Sequence, residues 1–229
     1  MRLVIKISGE GLSRDGEKFS EPVLSQIAEK VRTLLGQGHE IALVVGGGNL
    51  FRGKELSQKL VIDRSTADYI GMLATVQNAL VLRDYFESKG IQTRVSSAIA
   101  MPKVCEEYIP KRALRHMSKG RVVIFAAGLG VPYFSTDSCA VQRALEMQAD
   151  MLVMAKNGVE GIYTADPHKD AQAEFIKHIS ASEVVERNLK VADLSAMGLA
   201  KEHNLTIKIV SSDKIDQALD PNVGSTVTP

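Results

Sequence analysis

Short runs rich in valine and isoleucine, apolar at nearly every position, recur along this chain. Each is followed by glycine or polar residues and then by a helix-length segment. The plainest are Arg2–Ile7, Glu40–Val45, Arg121–Ala126, Met151–Met154 and Thr206–Val210. A strand with one wet face alternates apolar and polar residues. A strand apolar throughout is covered on both faces, as in a parallel sheet between helices. Between the runs, Val23–Leu35 sets Ile27, Val31, Leu34 and Leu35 at helical spacing, and Thr66–Lys89 does the same with Ile70, Leu73, Val76, Leu80 and Phe86. A third helix is expected through Ala140–Met147, opened by Ser135-Thr136-Asp137-Ser138, whose side-chain oxygens suit a helix N-terminus. The class is α/β, with a mainly parallel sheet sandwiched by helices. No repeat, linker or charge block divides residues 1–229, so one continuous domain is expected.

Charge and cysteine content narrow the function. Lys and Arg total 28 against 27 Asp and Glu, and a net charge of +1 gives no global field for holding nucleic acid or an anionic membrane. Any anion must be gripped locally. The 2 cysteines, Cys105 and Cys139, are too few for a disulfide scaffold or a zinc site and suit a reducing compartment. The N-terminal run is interrupted by Lys6 too soon to serve as a signal peptide, and Val122–Phe134 is broken by Gly128, Gly130 and Pro132. Neither approaches the roughly 20 residues of a membrane span. A cytoplasmic protein is expected.

In doubly wound sheets, ligands sit beyond the C-terminal strand ends. Here the strands run into Lys6-Ile7-Ser8-Gly9-Glu10-Gly11, Gly46-Gly47-Gly48-Asn49 and Gly128-Leu129-Gly130-Val131-Pro132. One such turn is ordinary strand-to-helix chemistry. Several on one sheet edge would let backbone N–H groups approach phosphate oxygens with no Cβ in the way. Neither a Walker A loop nor a Rossmann glycine fingerprint is present, and no Gly-x-Ser-x-Gly elbow or repeated histidine spacing supports hydrolase or metal chemistry.

Charged residues near these turns each carry two readings. Lys6 shares face parity with Val4 and Ser8, so its ammonium either meets a phosphoryl group or guards an edge strand. Arg52 follows the triple glycine, as a phosphate clamp or a solvated surface residue. Asp68 near its helix start suits the helix dipole or a ribose hydroxyl. Asp137 and Asp193 are helix-cap residues or site acids, and Tyr163-Thr164-Ala165-Asp166-Pro167 is a proline-closed turn or a nucleoside contact.

Taken together, these segments resemble the bacterial-type uridylate (UMP) kinases of the amino-acid-kinase superfamily, across nearly the whole chain. The marks are Lys6-Ile7-Ser8-Gly9-Glu10, Gly46-Gly47-Gly48-Asn49-Leu50-Phe51-Arg52-Gly53, Asp68 before Gly71-Met72-Leu73-Ala74-Thr75, Pro132-Tyr133-Phe134-Ser135-Thr136-Asp137, and Gly158-Val159-Glu160-Gly161-Ile162-Tyr163 followed by Asp166-Pro167. The Gly71–Thr75 run separates this family from relatives that phosphorylate carboxylates or carbamate. The resemblance implies a three-layer α/β/α sandwich and ATP-dependent phosphorylation of UMP to UDP in pyrimidine nucleotide biosynthesis. It further implies magnesium carried by ATP, and a homohexamer activated by GTP and inhibited by UTP, with Arg14–Phe19 matching the GTP-responsive region in position.

Carried over by position, the resemblance places Lys6, Ser8, Gly9, Gly48, Arg52, Asn157, Tyr163 and Asp166 on ATP. It places Gly47, Arg52, Asp68, Leu129, Gly130, Val131, Pro132, Tyr133, Phe134, Ser135 and Thr136 on UMP, and makes Lys6, Asp137 and Asp193 the catalytic set. No residue is assigned to bind metal. Leu129 and Val131 stand where many members carry Thr and Asn, Asn157-Gly158 replaces a common Thr-Lys pair, and Glu160 replaces Asp. The rival expectations are a kinase of carboxylates or carbamate and a non-catalytic nucleotide-binding module on the same fold.

Overall fold

The computed structural model describes residues 1–51, 61–189 and 191–229. The chain opens with β1 (Arg2–Ile7), a 3-10 turn (Gly9–Leu12), α1 (Glu21–Gly36), β2 (Glu40–Val45), α2 (Arg64–Ser88), β3 (Thr93–Ser97), β4 (Glu106–Glu107) and α3 (Pro110–Met117). There follow β5 (Val122–Ala126), α4 (Thr136–Glu146), β6 (Met151–Lys156), β7 (Ile162–Tyr163), β8 (Phe175–Ile176) and β9 (His178–Ser180). The chain closes with α5 (Ala181–Glu186), α6 (Leu194–Glu202), β10 (Ile207–Ser211), a second 3-10 turn (Ser212–Gln217) and β11 (Ser225–Thr228).

A 9-stranded sheet runs in the order β4-β3-β5-β2-β1-β6-β10-β11-β9. Its neighbours are parallel except β10 and β11, while β7 and β8 form a separate antiparallel ribbon. The first strand thus lies inside the sheet, between β2 and β6. The edge-strand reading of Lys6 is therefore overturned, because both sides of its backbone are already paired.

Alternation along the strands explains the unbroken apolar runs. Leu3, Ile5 and Ile7 of β1 face one core layer with α1 and α2, whereas Val4 faces the other with α3, α4, α5 and α6. The helices form where expected, within a few residues at their ends. Asp63 caps α2 by accepting the N–H groups of Ser65 and Thr66. Ser135 caps α4 likewise, accepting the N–H groups of Asp137 and Ser138.

Of the strands that sequence reading missed, the two longest, β3 and β11, are hydroxyl-rich. Thr93-Arg94-Val95-Ser96-Ser97 carries one aliphatic residue and becomes β3 because β5 lies beside it. Its buried hydroxyls find local carbonyls: Thr93 donates to Ile91 O (2.9 Å) and Ser97 to Ile99 O (2.7 Å). Tertiary pairing here overrides a weak local pattern.

Phe86 anchors α2 on the sheet with 0% of its surface exposed. Phe86→Ala is expected to lower stability by about 3–5 kcal/mol. Urea unfolding would read this, and an unchanged midpoint would contradict the packing of α2.

Candidate active site

The glycine turns after β1 and β2 pack against each other backbone to backbone. Gly46 N–H donates to Ile7 O (2.9 Å). A Cβ on Gly9 would collide with Gly48 N and lie 2.9 Å from Gly46 O, and one on Gly47 would lie 2.8 Å from Gly71 O of α2. Only glycine allows these approaches. A buried side chain then fixes the triple glycine: Asn78 Nδ2 donates to Gly46 O (2.7 Å) and to Asn49 Oδ1 (2.7 Å). Asn49 Nδ2 returns a bond to Asn78 Oδ1 (3.1 Å). Sequence reading missed Asn78, although an amide among the apolar positions of α2 was the available signal. Ser8 accepts the Gly11 N–H (3.2 Å) and so caps the first 3-10 turn at the β1 tip.

Strand alternation turns Lys6 toward α4, where Asp137 stands in the first turn. Lys6 Nζ lies 2.9 Å from Asp137 Oδ1, and Lys6 is 8% exposed. The helix N-terminus also favours a carboxylate at that place. Asp193 serves the same region from behind. It caps α6 by accepting the Ala196 N–H (2.7 Å), and it accepts hydroxyls from Ser135, Ser138 (3.1 Å) and Ser195 (2.9 Å). Burial pushes the Asp193 carboxyl up, but these bonds outweigh it and hold the pKa below the ordinary carboxylate value. Asp193 thus braces the α4 N-terminus, and Asp137 is the carboxylate that meets Lys6.

Two cavities flank this ion pair. One, of about 330 Å³, lies over the β2 and β5 tips and is lined by Gly47, Gly48, Asp68, Leu129, Val131, Phe134, Ser135 and Thr136, among others. Gly130, Pro132 and Tyr133 complete its loop without lining it. Asp68 holds that loop: it accepts the Tyr133 N–H (2.9 Å) and pairs with Arg64 Nε (2.9 Å). Thr75 Oγ1 accepts the Ala127 N–H (2.8 Å), and Arg143 Nη2 donates to Gly128 O (3.2 Å). Thr75 was singled out only as the end of the Gly71–Thr75 run and Arg143 was missed, because neither loop contact is visible until the fold brings the loop to these helices.

The other cavity, of about 420 Å³, lies over the β6 and β10 side and is lined by Lys156, Tyr163, Asp166, Arg187 and Val191 among others. Tyr163 meets Phe175 edge to face at 5.4 Å. Asn157 belongs to neither cavity. Its Oδ1 accepts the Ser212 hydroxyl (2.5 Å), and it lines a third space of about 290 Å³ with Gly11, Arg14, Gln26 and Asp213. Arg52 lies outside the described residues. The cysteines offer no nucleophile: burial pushes the Cys139 thiol up to about 11 and also raises Cys105. No described helix is long and apolar enough to cross a membrane.

A doubly wound sheet with a lysine–aspartate pair between two cavities is the frame of a phosphotransferase, and comparison with known proteins narrows the class. The amino acid kinase family profile matches residues 1–215. A uridylate kinase of Arthrobacter sp. is 49% identical over 100% of this chain and 94% of its own, and that of Tropheryma whipplei is 49% identical over 95% and 94%. The crystal structure of UMP kinase from Bacillus anthracis superposes with a TM-score of 0.94 at 36% identity, over 99% of this chain and 95% of that one. The UMP kinase of Ureaplasma parvum gives 0.93 at 35%, over 100% and 98%. The chain belongs to the amino acid kinase family, in its uridylate kinase branch.

A carboxyl held below its unfolded pKa stabilises the fold above that value and loses the contribution as pH falls through the folded pKa. Asp193→Asn is therefore expected to reduce stability at neutral pH, with the deficit shrinking between about pH 5 and pH 2 as the wild-type carboxyl protonates. Denaturation midpoints across that range test this, and a constant deficit would contradict it.

Proposed function

We propose that this protein transfers the γ-phosphoryl group of ATP to UMP, giving ADP and UDP by direct in-line displacement. The observation that carries the reading is the Lys6–Asp137 pair on the central strand, with one cavity over the strands to either side. UMP takes the cavity of Asp68 and Thr136, with its ribose on Asp68. ATP takes the cavity of Tyr163 and Asp166, and its phosphates run toward Lys6.

In the reaction, an oxygen of the UMP phosphate forms the new P–O bond as the bond between the γ-phosphorus and the bridging oxygen breaks, and ADP leaves with that electron pair. The attacking oxygen is already ionised, so no base is required. What remains is alignment and charge neutralisation. The N–H groups of Gly9, Gly47 and Gly48 offer fixed dipoles, and Lys6 supplies the mobile positive charge, held in place by Asp137. Asp193 keeps Asp137 in register through Ser135 and Ser138.

Among the described residues no group of three or more His, Cys, Asp or Glu is placed to hold a metal ion. Asp137 offers hard oxygen ligands, while those of Asp193 are occupied by hydroxyls and an N–H. That donor set suits a magnesium ion arriving on ATP with waters of its own. Bound there, magnesium would neutralise phosphate charge. The proposal extends to a cytoplasmic setting and a homo-oligomer, supported by exposed Tyr69 and Leu73 on α2. Six subunits, activation by GTP and inhibition by UTP follow from the family reading.

A coupled assay of ADP release with UMP, CMP, aspartate, glutamate and carbamate tests the assignment. Turnover on an amino acid with none on UMP would end it. Asp137→Asn should lower kcat roughly 100- to 1,000-fold in a folded protein, and near-normal turnover would remove Asp137 from the mechanism. Asp68→Ala should raise the KM for UMP about tenfold or more with a smaller change in kcat. An unchanged UMP affinity would refute the ribose contact.

A further inference from the structure

Lys156 ends β6, and no step above uses it. Lys6 is paired in register with Met154, so Lys156 lies one two-residue repeat further along the neighbouring strand. Met154 packs in the same core layer as Val4, so alternation puts Lys6 and Lys156 on one face of the sheet, beneath α4. Parallel-strand spacing sets their Cα atoms about 8 Å apart. Two ammonium groups therefore converge on one aspartate. Asp137 is engaged with Lys6 at 2.9 Å, and among the described residues Lys156 makes no ion pair.

Among the described residues its ammonium makes one hydrogen bond, from Nζ to Val191 O (2.6 Å), which leaves two of its three donors for other partners. Burial lowers the Lys156 pKa, with attraction from Asp137 and repulsion from Lys6 as the lesser effects. A half-buried cation with an incomplete partner set favours an anion beside it. The space beside it is the cavity shared with Tyr163 and Asp166, and β6 is the strand of that cavity that borders β1.

We propose that Lys156 is a second phosphate-binding cation: it takes the β-phosphate of the nucleoside triphosphate while Lys6 faces the transferred group. The inference rests on the donor assignment made above. On transfer, Lys156 stabilises charge growing on the leaving diphosphate, at a point Lys6 does not reach while it is paired with Asp137. The carbonyl of Val191 fixes its position and takes no part in the chemistry.

Calorimetric binding of AMP, ADP and ATP to wild type, Lys156→Gln and Lys156→Arg separates this role from that of a strut for the Val191 segment. A phosphate contact predicts AMP affinity within about twofold of wild type in Lys156→Gln and losses of roughly ten- to a hundredfold for ADP and ATP. Lys156→Arg, which keeps the charge, should recover part of the loss. Equal weakening of all three nucleotides, or none, would overturn the proposal. Wild-type protein that binds ADP and ATP but fails to phosphorylate UMP would sink the acceptor reading and leave Lys156 standing. Wild-type protein that binds none of the three would overturn the donor reading and this inference with it.

Discussion

Lys6 lies on an interior strand with 8% of its surface exposed, where a cation taken from water costs least when a carboxylate meets it, and Asp137 does so at 2.9 Å. Much of the local architecture follows from that pairing. The helix bearing Asp137 must begin where the β1 side chain arrives. Ser135 fixes the start by capping α4, and Asp193 fixes Ser135 from α6. A buried ion pair adds little net stability compared with an apolar pair of the same shape. Its place at the β1 tip is therefore better explained by chemistry than by folding, whereas the serine–aspartate brace behind it serves both.

The glycine corners show the same double use. Gly9, Gly46 and Gly47 are required by backbone packing, because a Cβ on any of them would strike a neighbouring main-chain atom. That packing brings backbone N–H groups together at the strand tips at distances that a side chain on these glycines would forbid, so under the proposed reading one close approach serves the fold and a phosphate alike. A glycine conserving a turn and a glycine binding a ligand need not be alternatives.

The sheet was legible because its interior strands are covered on both faces, which leaves unbroken apolar runs such as Leu3–Ile7 and Ile41–Val45. Thr93–Ser97 and Ser225–Thr228 were not, because each carries one aliphatic residue among hydroxyls; those of Thr93 and Ser97 turn to local carbonyls, and that of Ser225 finds Ile176 O only through the fold. Lys6, Asp137 and Asp68 could be singled out as charges beside glycine turns or at a helix start. Their partners could not be derived from spacing, since Lys6 and Asp137 meet through strand order and helix entry together. Lys156 was hidden by its position, since a lysine closing an apolar run reads as the solvent end of a strand. Asn157, one residue on, points to the opposite side, where Ser212 holds it.

Arg143 presents the hardest case for sequence reading, and it shows how the loop over the Asp68 cavity is held. Glu146 three residues on suggests an exposed helical ion pair, yet Arg143 is 4% exposed and bonds Glu146 at 2.5 Å. Its guanidinium lies 3.8 Å from the Tyr108 ring, and its Nη2 reaches Gly128 O. Tyr108 donates in turn to Glu146, and its phenol pKa is raised, chiefly by burial and then by that bond. The Nε of Arg143 is buried without a hydrogen-bond partner among the described residues, a cost that the ring face, the Glu146 ion pair and the bond to Gly128 O must offset. Gly128 sits at φ +56° beside Ala127 at φ +60°, a left-handed pair whose carbonyl would otherwise have little to fix it. A rigid cation beneath that carbonyl gives the loop one shape before any ligand arrives, and such pre-organisation lowers the ordering cost of binding.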